Sequence, residues 1–162
     1  MIKEFSFDEM LPTLIDKLKS GGQVSFTVTG NSMRPLFHDK RDTVTLSAPC
    51  GRLKKYDIPF YHRSDGKYIL HRIVKVGEND YTARGDNCSF TEYGIKDEDI
   101  IGVVKAYTRK GKARDMGSYA QRFYAAIWAN GFSFFIRKRL WVAFLSFGSK
   151  VKRTLLKPFK NK

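Results

Sequence analysis

Residues 23–111 constrain the fold most, because they consist of short β-type runs that follow one another at short spacing. The runs are QVSFTVTG at 23–30, TVTLSA at 43–48, DIPFYH at 57–62, KYILHRIVKV at 67–76, YTARG at 81–85 and IIGVVKAYTRK at 100–110. Clusters of Gly, Asp and Asn separate them, and the alternating strand–helix rhythm of a parallel sheet is missing. We therefore predict a mainly β fold, a compact antiparallel β barrel-sandwich, over residues 23–111.

Residues 1–22 are predicted to form a separate N-terminal helix. The stretch SFDEMLPTLIDKLKSGG has apolar residues at helical spacing, and Ser6 and Glu9 have the spacing of a capping box. Pro12 weakens the first turns, so the regular helix is expected to begin near it. The opening residues MIKEFSFDEM contain acids and no apolar core, so we expect neither a secretory signal nor a membrane anchor there.

The net charge of +14 is concentrated in the last third of the chain. Residues 1–104 carry 15 Lys or Arg and 15 Asp or Glu, whereas residues 105–162 carry 15 Lys or Arg and one acid, Asp115. Composition also changes here, and residues 112–162 are predicted to be a basic, aromatic, amphipathic helical tail. A balanced globular part therefore precedes a basic appendage.

Three partners are compatible with this tail. Its apolar run at 123–136 is shorter than the roughly 20 residues that cross a bilayer, so no transmembrane helix is expected. An anionic membrane surface accounts for the basic and aromatic residues together, which predicts peripheral membrane association, with the cytoplasmic face as one option. Packing on the β domain or a partner is the second alternative, and nucleic-acid binding is the third.

The two cysteines, Cys50 and Cys88, lie far apart and form neither a disulfide framework nor a zinc-binding spacing. No metal ion and no organic cofactor are expected.

Three segments contain side chains suited to acyl-transfer chemistry. GNSMRPLF at 30–37 places Ser32 in a turn after a strand. In YILHRIVKV, His71 shares a strand face with Ile69 and Ile73, and partial desolvation there favours the neutral imidazole that a general base needs. Asp86 follows in a Gly-Asp-Asn turn, although turn serines and turn acids more often only cap backbone groups. A hydroxyl, an imidazole and a carboxylate are the components of a nucleophile–base–orienter set.

GNSMRP, LHRI, ARGDN and DIIGVV, in that order, resemble the type I signal peptidase family over about residues 23–105. The resemblance is closer to the endoplasmic-reticulum and archaeal branch, in which His replaces the Lys base of most bacterial members. The same superfamily includes the LexA-type self-cleaving repressors. The resemblance implies a serine endopeptidase that cleaves a leader, signal or precursor peptide.

By position, the resemblance implies that Ser32 is the nucleophile, His71 the general base and Asp86 the acid of the GDN turn. A second acid of that branch falls nearest to Glu92, with Asp97 and Asp99 as weaker candidates. Either Asp86 or Glu92 would then hold the imidazole. Asp57 corresponds to a structural acid of the family. Tyr56, the residue before it, replaces the Gly that is usual in the family.

The implied substrate is a peptide or protein precursor, bound extended near residues 24–29. Many bacterial relatives have, where Gly30 stands, a hydroxyl residue that helps to form the oxyanion hole. Here the oxyanion hole would consist of backbone N–H groups, chiefly that of Ser32. The competing hypotheses are a catalytically inactive signal-peptidase-like module that docks on a membrane or partner, and a nucleic-acid-binding protein.

Overall fold

A computed structural model describes residues 7–129 of the chain. Two helices, nine strands and a short 3-10 turn follow one another in this part of the chain. They are α1 (Phe7–Lys19), β1 (Gln23–Thr27), β2 (Thr43–Ser47), β3 (Pro59–His62), β4 (Tyr68–Leu70), β5 (Arg72–Val76), β6 (Tyr81–Arg84), β7 (Glu92–Ile95), the 3-10 turn (Asp97–Asp99), β8 (Ile100–Arg109), β9 (Lys112–Asp115) and α2 (Tyr119–Ala129).

The strands form two antiparallel sheets. The larger sheet has the order β1-β2-β8-β3-β4, with β9 also paired to β8, and the smaller sheet has the order β5-β6-β7. The long strand β8 pairs along its length with β2, while β3 and β9 pair with its first and last parts. The mainly β antiparallel prediction is confirmed, but within residues 7–129 the sheets are open and no barrel closes.

The predicted single strand at 67–76 divides into two strands that belong to different sheets. Tyr68–Leu70 pairs with β3, Arg72–Val76 pairs with β6, and His71 is the residue between them. The backbone of β5 also bonds to the preceding turn, because Ile73 donates to the Asp57 carbonyl and accepts from the Tyr56 amide. This change of sheet places His71 at the junction of the two sheets.

The predicted N-terminal helix is confirmed as α1, which packs its apolar face on the larger sheet. Leu14 and Leu18 are buried in the cluster that includes Leu46 and Val104. The helix already includes Phe7, so Pro12 lies inside it and not at its start. Pro12 is on the exposed side, where a carbonyl that loses its helical partner can bond to water.

The sheet extends beyond the predicted β region, because Lys112–Asp115 forms β9. Helix α2 then contacts the β domain through Gln121, whose side-chain amide donates to the Tyr107 hydroxyl, and through the buried Ala125. The remainder of the predicted basic tail, residues 130–162, lies outside the described residues, as does the capping residue Ser6. Neither helix in residues 7–129 is both long enough and apolar enough to cross a membrane.

Candidate active site

The turn that carries Ser32 is anchored by its own apolar residues. Met33, Leu36 and Phe37 are buried in the core, and the Phe37 amide donates to the Met33 carbonyl at 2.9 Å. Gly30 precedes Ser32 with a φ of 88°, a conformation that favours glycine. The sequence SMRPLF therefore fixes the backbone of Ser32 while the Ser32 side chain stays half-buried at the edge of the core.

A buried carboxylate holds the far end of this turn. Asp42 is fully buried and accepts hydrogen bonds from Arg109 Nε at 3.0 Å, from Arg41 Nε at 2.8 Å and from the His38 amide at 3.1 Å. Arg109, which comes from β8, also donates to the Pro35 carbonyl at 3.2 Å. The loop after Ser32 is thus tied to the central strand of the larger sheet.

The structure brings the Ser32 turn and His71 together across Gly85. A β-carbon added at Gly85 would lie 2.6 Å from the Ser32 carbonyl oxygen and 2.9 Å from His71 Nε2. The Ser32 carbonyl also accepts a 2.7 Å hydrogen bond from the Asn87 amide. Only glycine allows this close approach, which gives the Gly of the GDN sequence a steric reason.

Glu92 lies on the other side of the imidazole. Its Oε1 is 3.5 Å from His71 Nδ1, and Nδ1 has no hydrogen-bond partner among the described residues. Two further side chains fix this carboxylate: the Tyr61 hydroxyl donates to Oε2, and Arg63 Nη1 donates to Oε1 at 3.0 Å. Glu92 is thereby held as an acceptor that faces the imidazole.

Asp86 is buried near the imidazole, but its carboxylate binds a different side chain. Arg72 donates from Nε and Nη2 to the two carboxylate oxygens, each at 2.8 Å, and Tyr124 donates to Oδ2 at 3.2 Å. Both members of the Arg72–Asp86 pair are almost fully buried. The geometry therefore gives Asp86 a structural ion pair and gives Glu92 the position beside Nδ1.

The other acids considered from the sequence lie elsewhere. Asp97 accepts from the Tyr81 hydroxyl and Asp99 from the Lys96 amide. Asp57 accepts the Lys54 amide at 2.8 Å within its own turn. Tyr56, which stands where the resembled family has Gly, adopts a φ of 84° that glycine favours and most residues avoid.

Burial controls the protonation of His71. The residue is 3% exposed, and this desolvation lowers the pKa of the imidazole below its ordinary value. The charge of Glu92 raises that pKa and the charge of Arg63 lowers it, but burial has the larger effect. At neutral pH the imidazole is therefore uncharged and able to accept a proton.

Four residues of this site were not singled out from the sequence. Tyr61 and Arg63 position Glu92. The only sequence signal for this is their spacing in PFYHR, because residues two apart on a strand lie on the same face. Cys88 has its sulfur 4.0 Å from His71 Nε2, and burial raises the pKa of its thiol. Phe90 is 56% exposed and its ring lies near the imidazole, with centroids 6.3 Å apart.

No metal site is formed by the described residues: their His, Cys, Asp and Glu side chains do not gather in a group of three that could hold an ion.

Comparison with known proteins adds no relative. A scan of the chain against protein-family models gives no match, and a search of curated proteins finds none either.

Proposed function

We propose that the chain is a serine endopeptidase of the signal peptidase type, which cleaves a leader, signal or precursor peptide through an acyl-enzyme. The single observation that carries the proposal is the position of His71, a buried imidazole between the Ser32 turn and the carboxylate of Glu92. A nucleophile, a base and an orienting acid in this order are the components of acyl transfer by a hydroxyl group.

In the acylation step, Ser32 Oγ attacks the carbonyl carbon of the scissile peptide while His71 Nε2 accepts the hydroxyl proton. The imidazolium then gives this proton to the leaving amine, and the C–N bond breaks. Water next attacks the acyl-enzyme with His71 again as the base, and the peptide acid leaves. Each turnover returns Ser32 and His71 to their starting protonation states.

Glu92 has the role of orienting His71 in this mechanism. Its carboxylate lies 3.5 Å from Nδ1, a separation that a small movement on substrate binding would shorten to a hydrogen bond. Hydrogen bonds from Tyr61 and Arg63 fix the Glu92 carboxylate, whose Oε1 can accept Nδ1–H and stabilise the imidazolium. The proton then sits on Nδ1 in the resting enzyme, and Nε2 is free to act as the base.

The oxyanion of the tetrahedral intermediate needs donors near Ser32. The Gly30 amide donates to Asp39 Oδ1 at 2.8 Å, so this N–H already has an acceptor within the turn. We assign the backbone N–H of Ser32 as the chief donor. One such donor is worth roughly 2.7–4 kcal/mol of transition-state stabilisation.

The substrate is proposed to bind as an added strand beside β1. Among the described residues β1 pairs only with β2, so its other edge can accept an extended peptide. The chain runs from the end of β1 at Thr27 directly to Ser32. A peptide bound along this edge would therefore extend toward Ser32.

The partner of the basic tail is proposed to be an anionic membrane surface. Residues 130–162 contain nine Lys or Arg and no Asp or Glu, together with Trp and Phe residues. Basic residues attract anionic lipid and aromatic residues enter the interface. Peripheral binding would bring the enzyme to membrane-bound precursors.

Cleavage of a peptide library by the full chain tests the proposed activity. Ser32→Ala and His71→Gln should each lower the rate roughly a million-fold, because nucleophile and base act as one unit. Matched controls are Ser89→Ala in the neighbouring loop and His62→Gln on the exposed side of β3, and both should cleave normally. Thermal unfolding of all four variants should stay close to that of the parent chain.

The same experiment separates Ser32 from the neighbouring thiol. Cys88 also lies beside His71 Nε2, and a thiol can act as a nucleophile. The proposal predicts that Cys88→Ala retains cleavage and that Ser32→Ala does not. The reverse result would make the protein a cysteine peptidase, and cleavage by every variant would contradict catalysis at this site.

A further inference from the structure

A cavity lies apart from the proposed active site, where α2 meets the β domain. It has a volume of about 280 Å³, and Ser32, His71 and Glu92 are not among its lining residues. Its walls are the turn before β3, the middle of β8 and the first turns of α2, and its floor includes the buried side chains of Arg72 and Ala125. The volume lies just below the range of drug-sized ligand pockets, which fits a small polar molecule.

Cations dominate the rim of this cavity. Lys54, Lys55, Lys105 and Arg122 all line it and are exposed, and none forms an ion pair with a described residue. Four like charges around one cavity repel one another, and a bound anion removes that repulsion.

Two carboxylates also line the cavity, but each accepts a hydrogen bond from a backbone amide. Asp57 Oδ2 accepts the Lys54 amide at 2.8 Å, and Asp115 Oδ1 accepts the Gly117 amide at 2.9 Å. Each keeps one oxygen that can still accept a hydrogen bond. The cavity thus offers an excess of positive charge with a few acceptors at its edge.

Gln121 supplies an unpaired polar atom at the same place. Its Nε2 donates to the Tyr107 hydroxyl at 3.1 Å, while its buried Oε1 has no partner among the described residues. A buried acceptor without a partner is costly, and a small rotation of the Gln121 side chain toward the cavity would let a ligand hydroxyl or amino group satisfy it. The amide lies on the first turn of α2, whose positive end adds to the attraction for an anion.

We propose that this cavity binds a phosphate ester whose alcohol part carries a hydroxyl or amino group. The phosphate oxygens would bond to Lys54, Lys105 and Arg122, and charge-assisted bonds of this kind are the strong ones. The hydroxyl or amino group would donate to Gln121 Oε1. Both a phospholipid head group and a soluble phosphate ester have this chemistry.

Calorimetric titration of the full chain tests the proposal with two probes, glycerol 3-phosphate and a short-chain phosphatidylglycerol below its micelle concentration. The triple variant Lys54→Gln, Lys105→Gln and Arg122→Gln should weaken binding about tenfold or more. Saturation by glycerol 3-phosphate would identify a soluble ester as sufficient, and saturation by the lipid alone would identify a membrane head group. Either result supports the site if the triple variant weakens it.

A matched triple variant controls for the general charge of the chain. Lys17→Gln, Lys75→Gln and Lys112→Gln remove the same charge from exposed positions outside the cavity. This control should keep affinity within about twofold of the parent. Equal weakening by both triple variants, or no saturable binding of either probe, would overturn the proposal. The outcome is independent of the peptidase activity, because no variant alters a residue assigned to catalysis.

Discussion

Two carboxylates lie near His71, and their partners differ. Glu92 faces Nδ1 at 3.5 Å, whereas Asp86 is held by two hydrogen bonds from Arg72. The sequence leaves the orienting role open between these two acids. The geometry ranks Glu92 first, since a longer side chain on β7 reaches the imidazole and is fixed there by Tyr61 and Arg63.

The first prediction follows from this ranking. Glu92→Gln should lower kcat/KM roughly 10²- to 10⁴-fold, because the amide no longer holds the Nδ1–H tautomer or stabilises the imidazolium. Glu98→Gln, at an exposed position, is the matched control and should be neutral. Steady-state cleavage of a library-selected peptide provides the measurement. Full activity of Glu92→Gln would return the orienting role to Asp86.

The pH dependence of cleavage gives the second prediction. The proposed mechanism requires neutral His71, and burial lowers the pKa of this imidazole, so the acid limb of kcat/KM should lie at lower pH than the pKa of a free imidazole. Arg63 contributes to this lowering, so Arg63→Gln should move the limb to higher pH. Steady-state profiles of kcat/KM against pH for parent and variant provide the measurement, and a limb that stays in place or moves to lower pH contradicts the assignment.

The sequence singles out Ser32 and His71 as candidates, because each stands in a short pattern with few alternatives, and the structure brings the Ser32 turn close to the imidazole. The supporting residues could not be singled out in this way. Tyr61, Arg63 and Cys88 reach the site only after β3, β5 and the 85–88 loop come together, and no local pattern records such long-range contacts. Asp86 lies close enough to His71 for its charge to act on the imidazole, but its ion pair with Arg72 depends on side-chain geometry that the sequence does not show.

Among the elements, the loop that follows β6 joins the two halves of the site. A β-carbon added at Gly85 would lie too close to both the Ser32 carbonyl and His71 Nε2, so the third prediction concerns this position. Gly85→Ala should destabilise the fold by about 1–3 kcal/mol and abolish most cleavage, because a methyl group forces the two apart. Gly117→Ala, at an exposed position, is the matched control and should preserve both properties. Normal cleavage by Gly85→Ala would show that the loop is more adaptable than the structure indicates.

The Arg72–Asp86 pair fastens the same loop to β5, which leads to the fourth prediction. Asp86→Asn should cost about 3–5 kcal/mol of unfolding free energy, because it leaves the buried Arg72 charge uncompensated. The pair that Asp65 forms with Arg63 at the surface serves as control, and Asp65→Asn should change the free energy of unfolding far less than Asp86→Asn. Urea unfolding measures both.

Replacing both partners distinguishes a charge effect from a packing effect. The double variant Arg72→Met, Asp86→Leu should recover part of the lost stability, since an apolar pair removes the buried charges together. A double variant less stable than Asp86→Asn would mean that the hydrogen bonds to the Tyr56 carbonyl and from Tyr124 matter more than the ion pair.

Most of the strands were predictable, and the exceptions have physical reasons. β7 has the sequence EYGI and β9 has KARD, and both lack the apolar alternation that marks a strand. They pair because β6 and β8 offer edges beside them. The division of 67–76 at His71 was missed because continuous apolar alternation does not reveal where a chain passes from one sheet to another.

For the whole molecule, the boundary between domain and tail determines how the tail can be tested. Helix α2 contributes the buried Ala125 and the Tyr124 bond to Asp86, so its described part belongs with the β domain. The fifth prediction is that a chain ending at residue 129 stays folded and cleaves soluble peptides but no longer binds anionic vesicles. Vesicle flotation at rising salt, with the full chain beside it, provides the measurement.

A shorter truncation is the control for this experiment. A chain ending at residue 116 loses the contacts of α2 and should unfold at lower temperature, whatever the tail binds. Retained flotation by the chain that ends at residue 129 would place the membrane contact within the domain. Binding of the full chain to DNA but not to vesicles would contradict the membrane proposal and favour a nucleic-acid partner.

The central claim, that Ser32 is a nucleophile activated by His71, is tested most directly by a serine-directed acylating probe. After the full chain reacts, mass spectrometry of the digested protein locates the acyl group. We predict stoichiometric acylation of Ser32, abolished by His71→Gln and retained in His62→Gln. Acylation of Cys88 in its place, or equal acylation of Ser32 in the two histidine variants, would contradict the claim.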